Sequence, residues 1–250
     1  MSDALLGERV ALVTGGARGL GAAIAQAFAG SGAVGAVVDV GPAETPPGWV
    51  SLTADVTVEA DVERVVAETA GRFGRLDVVV ANAGVVPPWS DADDLDLDAL
   101  DRTLSVNVRG VAVTMKHGAR ALRKGGSGAI VVMASLNAWH AAPSQSSYTA
   151  SKHAVLGLVR TAALDLGRHG IRVNAIGPGP VLTEAFRERL ERRAAAGGLT
   201  VEDAKREAGG ATALGRMVTP EEVAKVAVFL ASDLASGVTG QLVPVDAGIP

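Results

Sequence analysis

The stretch Val10–Ala25, VALVTGGARGLGAAIA, decides the fold. It opens with the apolar run VALVT (Val10–Thr14), which reads as a buried strand. Gly15, Gly16, Arg18, Gly19 and Gly21 follow. Leu20, Ile24, Ala27 and Phe28 then recur at helical spacing. A glycine-rich turn between a buried strand and a helix places backbone N–H groups at the positive end of the helix dipole, where a pyrophosphate binds. Gly15 suits the tight turn, and Gly19 and Gly21 allow backbone, phosphate and packed helix to approach closely. The spacing Gly15-x3-Gly19-x-Gly21 departs from the G-x-G-x-x-G fingerprint. An ordinary tight turn is the alternative, and the flanking sequence must choose.

Working outward, apolar runs and helical patterns alternate to the end of the chain. Strands are expected at Gly35–Val40, Trp49–Val56, Leu76–Gly84, Gly128–Ser135 and Ile171–Ile176, with a last one in QLVPVDAG. Between them, Val62, Val65, Val66 and Phe73 mark one helix, and Leu97, Leu100, Leu104, Val108, Val111 and Met115 a longer one. Val155, Leu158, Val159, Ala162 and Leu166 mark another, and Val223, Val226, Ala227 and Leu230 the last. Strands apolar along their whole length and separated by helices predict an α/β fold, a doubly wound parallel sheet covered on both faces. One domain over residues 1–250 is expected. Pro244 cannot donate to a ladder, which puts the last strand at a sheet edge. GPAETPPGW (Gly41–Trp49) has three prolines and no helical pattern, so a crossover helix is not expected there. The charged helical region from about 183 to 213, broken by glycines, reads as a mobile lid over a pocket or as a solvated surface excursion.

Composition narrows the function. The 250 residues are 48% hydrophobic but only 3% aromatic, so the core is built from Ala, Val, Leu and Ile. A net charge of −4 with interleaved signs and no basic block argues against nucleic acid. Cysteine is absent, which excludes disulfides and thiolate metal sites or nucleophiles. MSDALLGERV does not read as a signal peptide, and no run of 18 apolar residues suggests a membrane span. A cytoplasmic protein without membrane or metal is expected. The acidic run DADDLDLDALD is read as a solvated face and helix N-terminal turn rather than a metal site.

Asp39, at the end of the second strand, lies 24 residues after Gly15. A carboxylate there accepts hydrogen bonds from an adenosine ribose and repels a 2′-phosphate, favouring NAD over NADP. Arg18 argues the other way, since a guanidinium pairs with a 2′-phosphate. Tyr148 and Lys152 stand at i and i+4, on one helix face. A phenol is a poor base at neutral pH, and a neighbouring ammonium stabilises its phenolate. Ser135 ends the fifth strand, 13 residues before Tyr148, where a hydroxyl faces the ligand crevice of a parallel sheet. Asn107 lies within a helix and is read either as a water-holding group linked to Lys152 or as a satisfied core amide.

In this order and spacing, the motifs resemble the short-chain dehydrogenase/reductase family over essentially the full length. They are T-G-x3-G-x-G (Thr14–Gly21), Asp39, ADV (Ala54–Val56), ANAG (Ala81–Gly84), Asn107, Ser135, Tyr148-x3-Lys152, GPGPVLT (Gly177–Thr183) and GQLVPVDAG. Ala81 stands where N-N-A-G is commoner. The resemblance implies a three-layer Rossmann fold with seven parallel strands and a homotetramer. It also implies hydride exchange between NAD(H) and a secondary alcohol or ketone. Tyr148 would be the general acid/base, Ser135 would hold the substrate oxygen, Lys152 would lower the phenol pKa and bind ribose, and Asn107 would anchor a relay water. Gly15, Arg18, Gly19, Leu20, Gly21, Asp39, Asp55, Val56, Asn82, Ala83, Gly84, Pro178, Gly179, Val181 and Thr183 would contact the cofactor together with Tyr148 and Lys152. Trp89, Leu136, Asn137, Gln145 and Phe186 are expected around the substrate, with Pro87, Pro88, Trp139, His140 and Val181 beside them. The tryptophans and prolines suggest a partly apolar alcohol, cyclic, aromatic or terpenoid, while Asn137, His140 and Gln145 leave room for a polyol. Two other readings are an NADPH-dependent 3-oxoacyl carrier-protein reductase, against which Asp39 speaks, and a non-catalytic NAD-binding sensor or scaffold. A Rossmann methyltransferase would leave Ser135, Tyr148 and Lys152 unexplained.

Overall fold

The protein is described by a computed structural model covering residues 4–195 and 197–249. Seven parallel strands run β1 (Val10–Thr14), β2 (Val34–Asp39), β3 (Trp49–Thr53), β4 (Val78–Ala81), β5 (Gly128–Met133), β6 (Ile171–Pro178) and β7 (Leu242–Val245). Their spatial order is β3-β2-β1-β4-β5-β6-β7. The order reverses between β1 and β4, and the crevice beyond the strand ends at that switch point is where α/β sheets bind ligands. Residues 41–48 join β2 to β3 without a helix, as the prolines require. Pro244 sits on β7, at the sheet edge.

Each central strand is buried on both faces, so alternate residues feed two cores. Leu12, Val38, Val79 and Ile130 point into one, beneath α2 (Glu59–Phe73), α4 (Val111–Gly125) and α5 (Ser146–Gly167). Val13, Val37, Val80 and Val131 point into the other, beneath α1 (Gly19–Gly30) and α8 (Pro220–Ala231). There Ile24 and Phe28 of α1 pack with Val223, Ala227 and Leu230 of α8. Burying a side chain such as Phe28 contributes about 2 kcal/mol by area. Thr219 and Glu222 form a reciprocal capping box at the start of α8, with Pro220 in its first turn.

The strands differ in length from their apolar runs. β3 ends at Thr53 and β4 at Ala81, so ADV and the end of ANAG are loops at the carboxyl edge of the sheet. β6 instead continues through Gly177 and Pro178, which pair with Pro244 and Val245. The long helix expected from Leu97 is α3 (Leu97–Leu104) and α4 joined by a π-helical turn at Ser105–Gly110, and Leu97 itself is exposed. The 183–213 region forms α6 (Glu184–Ala195) and α7 (Val201–Gly210). Both stems are pinned, since Val181 bridges Val218 and the Val218 N–H donates to the Pro180 carbonyl at 3.2 Å. No helix among the described residues is long and apolar enough to cross a membrane.

Candidate active site

The carboxyl ends of β1, β4 and β5 open into a crevice of about 800 Å³, roofed by α6. Its adenosine-facing end is built from the glycine turn. Gly15 has φ +63°, and a Cβ there would lie 2.7 Å from the Ala83 Cα. Gly19 also has a positive φ, +59°. Thr14 and Asn82 stitch the turn together. The Thr14 hydroxyl accepts from the Asn82 and Ala83 N–H groups at 3.1 and 3.2 Å, and the Asn82 amide donates to the Thr14 and Gly15 carbonyls at 3.0 and 2.9 Å. Arg18 precedes α1 and supplies no side-chain cap, which leaves first-turn N–H groups available to an anion.

Asp39 takes the Ala17 N–H at 3.0 Å and the Val40 N–H at 2.8 Å and borders the crevice beside this turn. Arg18 pairs with Glu188 on α6 at 3.6 Å. Asp55 accepts from both the backbone and the hydroxyl of Thr57 at 2.8 Å. Leu20, Val56, Gly84, Pro178, Gly179, Val181 and Thr183 line the same space. Gly21 does not. A Cβ there would meet the Gly15 oxygen at 2.2 Å and Asn82 Nδ2 at 2.6 Å, so its work is to seat α1 under the turn. These features fit a dinucleotide: an uncapped helix end, a cradle with no room for side chains, and a carboxylate beyond it.

Deeper in, Ser135, Tyr148 and Lys152 converge. Ser135 follows β5, and its hydroxyl accepts from the Asn137 N–H at 3.2 Å. Lys152 is 5% exposed and donates to the Met133 carbonyl at 2.8 Å, with its ammonium 5.6 Å from the Tyr148 ring centroid. Burial lowers the Lys152 pKa to about 8. Burial also pushes the Tyr148 phenol above its ordinary value, while interaction with Ser135 and the charge of Arg189 pull it back.

Asn107 is fully buried in the π-helical turn, behind the crevice wall. Its carbonyl accepts from the Val85 N–H at 2.8 Å, and its NH₂ donates to the Val85 oxygen at 2.9 Å and the Ser151 hydroxyl at 3.1 Å. The side chain thus clamps the loop after β4 to α5, which is the core-amide reading. π-helical turns occur disproportionately at functional sites.

On the substrate side, Leu136, Asn137, Gln145, Val181 and Phe186 line the crevice. Asn137 donates to Gln145 at 3.2 Å and to the Thr149 hydroxyl at 3.0 Å, so these amides largely satisfy each other. Trp89 borders a shallow hollow with Asp91 and Ser144 rather than the crevice itself, and guanidinium groups of Arg189 and Arg193 stack over it. Pro87 and Pro88 do not reach the crevice either, and Trp139 and His140 are exposed and pack edge-to-face. In the acidic run, Asp96 caps α3 and Asp91 accepts from Ser144. No group of three metal-ligating side chains occurs among the described residues.

The sequence reading missed Arg189 and Arg192, which line the crevice from α6. The helix EAFRERLERRAA is charged enough to pass for a solvated face. The available signal was the spacing of Phe186, Arg189 and Arg193, which share one helical stripe.

Known proteins carry the same architecture. A family model described as enoyl-(acyl carrier protein) reductase matches residues 15–250. The chain belongs to the short-chain dehydrogenase/reductase family. This chain is an NAD(P)-dependent oxidoreductase that acts on alcohols or ketones. It is 42% identical to (+)-borneol dehydrogenase 2 of Salvia officinalis, covering 98% of this chain and 89% of that one. It is 39% identical to cis-4-hydroxycyclohexanecarboxylate dehydrogenase of Sinomonas cyclohexanicum over 96% of each. The solved structure of levodione reductase superposes with a TM-score of 0.92, at 35% identity over 97% of each chain.

Proposed function

We propose that this short-chain dehydrogenase/reductase interconverts a cyclic secondary alcohol and its ketone, with NAD(H) as cofactor and Tyr148 as general acid/base. The observation that carries the reading is that Ser135, Tyr148 and Lys152 line the same crevice as the glycine turn and Asp39. The ring preference is supported by the relatives, which are named for borneol, a hydroxycyclohexanecarboxylate and levodione. All three are compounds built on a six-membered carbon ring. Leu136, Val181 and Phe186 give the crevice an apolar wall suited to one.

A bound nicotinamide supplies the hydride acceptor for the alcohol, or the hydride donor for the ketone. The protein's share is the proton. Tyr148 removes the hydroxyl proton as the carbinol is oxidised and returns it to the oxygen in reduction. Ser135 holds that oxygen beside the phenol. Lys152, fixed by Met133, stands beside the Tyr148 ring and would hold a ribose hydroxyl of the bound cofactor. Asn107 fixes the loop and helix that carry these groups, and its remaining acceptor position is where a relay water would attach.

The NAD preference rests on Asp39, which stands where a 2′-phosphate would bring a like charge, and on Arg18, which reaches to Glu188 instead. The unbroken alternation of strands and helices supports one domain, the resemblance supports a homotetramer, and the charged, glycine-broken sequence from about 183 to 213 supports a lid over the crevice.

The test is dinucleotide reduction at alkaline pH with a panel of cyclic, terpenoid and polyol secondary alcohols, each offered with NAD⁺ and with NADP⁺. Turnover with NAD⁺ is expected, reduced about 100-fold or more in Tyr148→Phe, while that variant still binds NADH. Turnover confined to NADP⁺ would overturn the cofactor assignment, and an active Tyr148→Phe would overturn the mechanism.

A further inference from the structure

Arg189 is placed unlike the other arginines of α6. It lines the crevice, its Nε is buried without a hydrogen-bond partner, and it forms no ion pair among the described residues. Its guanidinium carbon lies 4.6 Å from the Trp89 ring centroid and 5.6 Å from that of Phe186. The two rings therefore hold the head group from the side chain's own helix and from the loop after β4. Glu188, next in sequence, is turned to Arg18. Arg192 lines the same crevice one turn on. The charge of Arg189 favours the Tyr148 phenolate, in keeping with a place at the substrate end of the crevice.

Burying the Arg189 Nε without a hydrogen-bond partner is costly, because that N–H loses water and gains no acceptor. Stacking on aromatic rings offsets part of that cost and leaves the planar fork of donors for a carboxylate. Leu136, Val181 and Phe186 add apolar surface to the crevice that holds both this cation and the Ser135–Tyr148 pair.

We propose that Arg189 is the anion-recognising residue of the substrate site. The preferred substrate is then an alicyclic hydroxy acid or oxo acid, its carboxylate on Arg189 and its reacting oxygen at Tyr148 and Ser135. This rests on the alcohol–ketone reading above and adds to it a charge on the substrate and the residue that reads it. The same guanidinium chemistry would suit a cofactor phosphate, and the experiment separates the two sources.

Hydroxycyclohexanecarboxylates and their methyl esters are compared as substrates of the wild type, Arg189→Met and Arg189→Lys. Binding of unreactive cyclohexanecarboxylate and cyclohexanecarboxamide to the NAD⁺-loaded proteins is measured by calorimetry. In the wild type the acid is expected to exceed the ester in kcat/KM by about 30-fold or more, as charge-assisted hydrogen bonds allow. In Arg189→Met both fall, through the altered phenol, but the acid-to-ester ratio collapses toward one, and Arg189→Lys restores part of it. Cyclohexanecarboxylate should bind the wild type at least about tenfold tighter than the carboxamide, and the variant should lose that preference. A ratio that does not change on substitution overturns the proposal and leaves the alcohol–ketone reading intact. So does a variant whose main defect is weaker NADH binding, which would make Arg189 a phosphate ligand. Carboxylate binding that depends on Arg189, in a protein that oxidises no alcohol, would keep the anion site and overturn the alcohol–ketone reading.

Discussion

The ammonium of Lys152 and the main-chain oxygen of Met133 are 2.8 Å apart, and this bond ties the helix carrying Tyr148 to the strand that leads to Ser135. It also buries a charge, and the depressed pKa of about 8 records what that costs. Between pH 8 and the ordinary lysine value of 10.5, the unfolded chain holds a proton at Lys152 that the folded chain has released. Stability therefore rises with pH across that window. The stability of the wild type relative to Lys152→Met should increase by about 2 kcal/mol between pH 7.5 and 9.5. Urea unfolding of both proteins at the two pH values checks this, and a difference that stays constant with pH would show that Lys152 titrates normally.

The pH dependence of turnover follows from the raised phenol of Tyr148. Alcohol oxidation needs the phenolate and should climb with pH, whereas ketone reduction needs the phenol and should decline over the same range. Ser135 is one of the two groups that pull the phenol down. Ser135→Ala should therefore lower kcat and also move the oxidation limb to higher pH. A lower kcat on an unmoved limb would mean that Ser135 acts on the substrate alone.

Asn107 joins Val85 to Ser151 through three hydrogen bonds with no exposed surface. Asn107→Ala removes all three of these bonds, each worth about 0.5–1.5 kcal/mol, and leaves space in the buried turn. A loss of roughly 2–4 kcal/mol is expected in chemical denaturation, with lower activity from the displaced loop. Asn107→Asp should be as damaging, because a carboxylate cannot donate to the Val85 oxygen.

Much of this was legible in the chain itself. The five central runs became strands because a strand buried on both faces must be apolar throughout, while the edge strands β3 and β7 are only partly buried, and Pro244 marked an edge because it has no N–H to donate. Where strands end was less legible. Val56 and Gly84 are apolar or small because they line the crevice and its loops, and apolar character alone does not separate that from pairing. The pairing of Trp89 with Arg189 was not legible. A tryptophan after ANAG suggested a substrate wall, and the charged helical region that carries Arg189 read as a lid or as a surface excursion. Only the packing of α6 against the loop after β4 shows one stacked upon the other, and that contact spans 100 residues of sequence.

Gly21 tests the cradle without touching its surface. An added Cβ would sit 2.2 Å from the Gly15 oxygen and 2.8 Å from the Gly16 Cα, both backbone atoms that move only with the turn. Gly21→Ala should weaken NADH binding by about tenfold or more, read by fluorescence titration, with a far-UV spectrum like the wild type's. Unchanged affinity would show that the turn shifts without cost to the site.

Asp39 should set the cofactor preference. Its two oxygens accept backbone N–H groups of Ala17 and Val40, which orient the carboxylate at the crevice rim. Asp39→Ser keeps a hydrogen-bonding group and removes the charge. The ratio of kcat/KM for NADP⁺ over NAD⁺ should then rise by about tenfold or more, as expected when like-charge repulsion near a partly buried phosphate is relieved. Adding Arg18→Ala to this variant should take back part of the gain, since Arg18 is then free to leave Glu188 for the phosphate. If Asp39→Ser weakens both cofactors equally and the ratio stays put, the carboxylate serves the turn rather than the choice of cofactor.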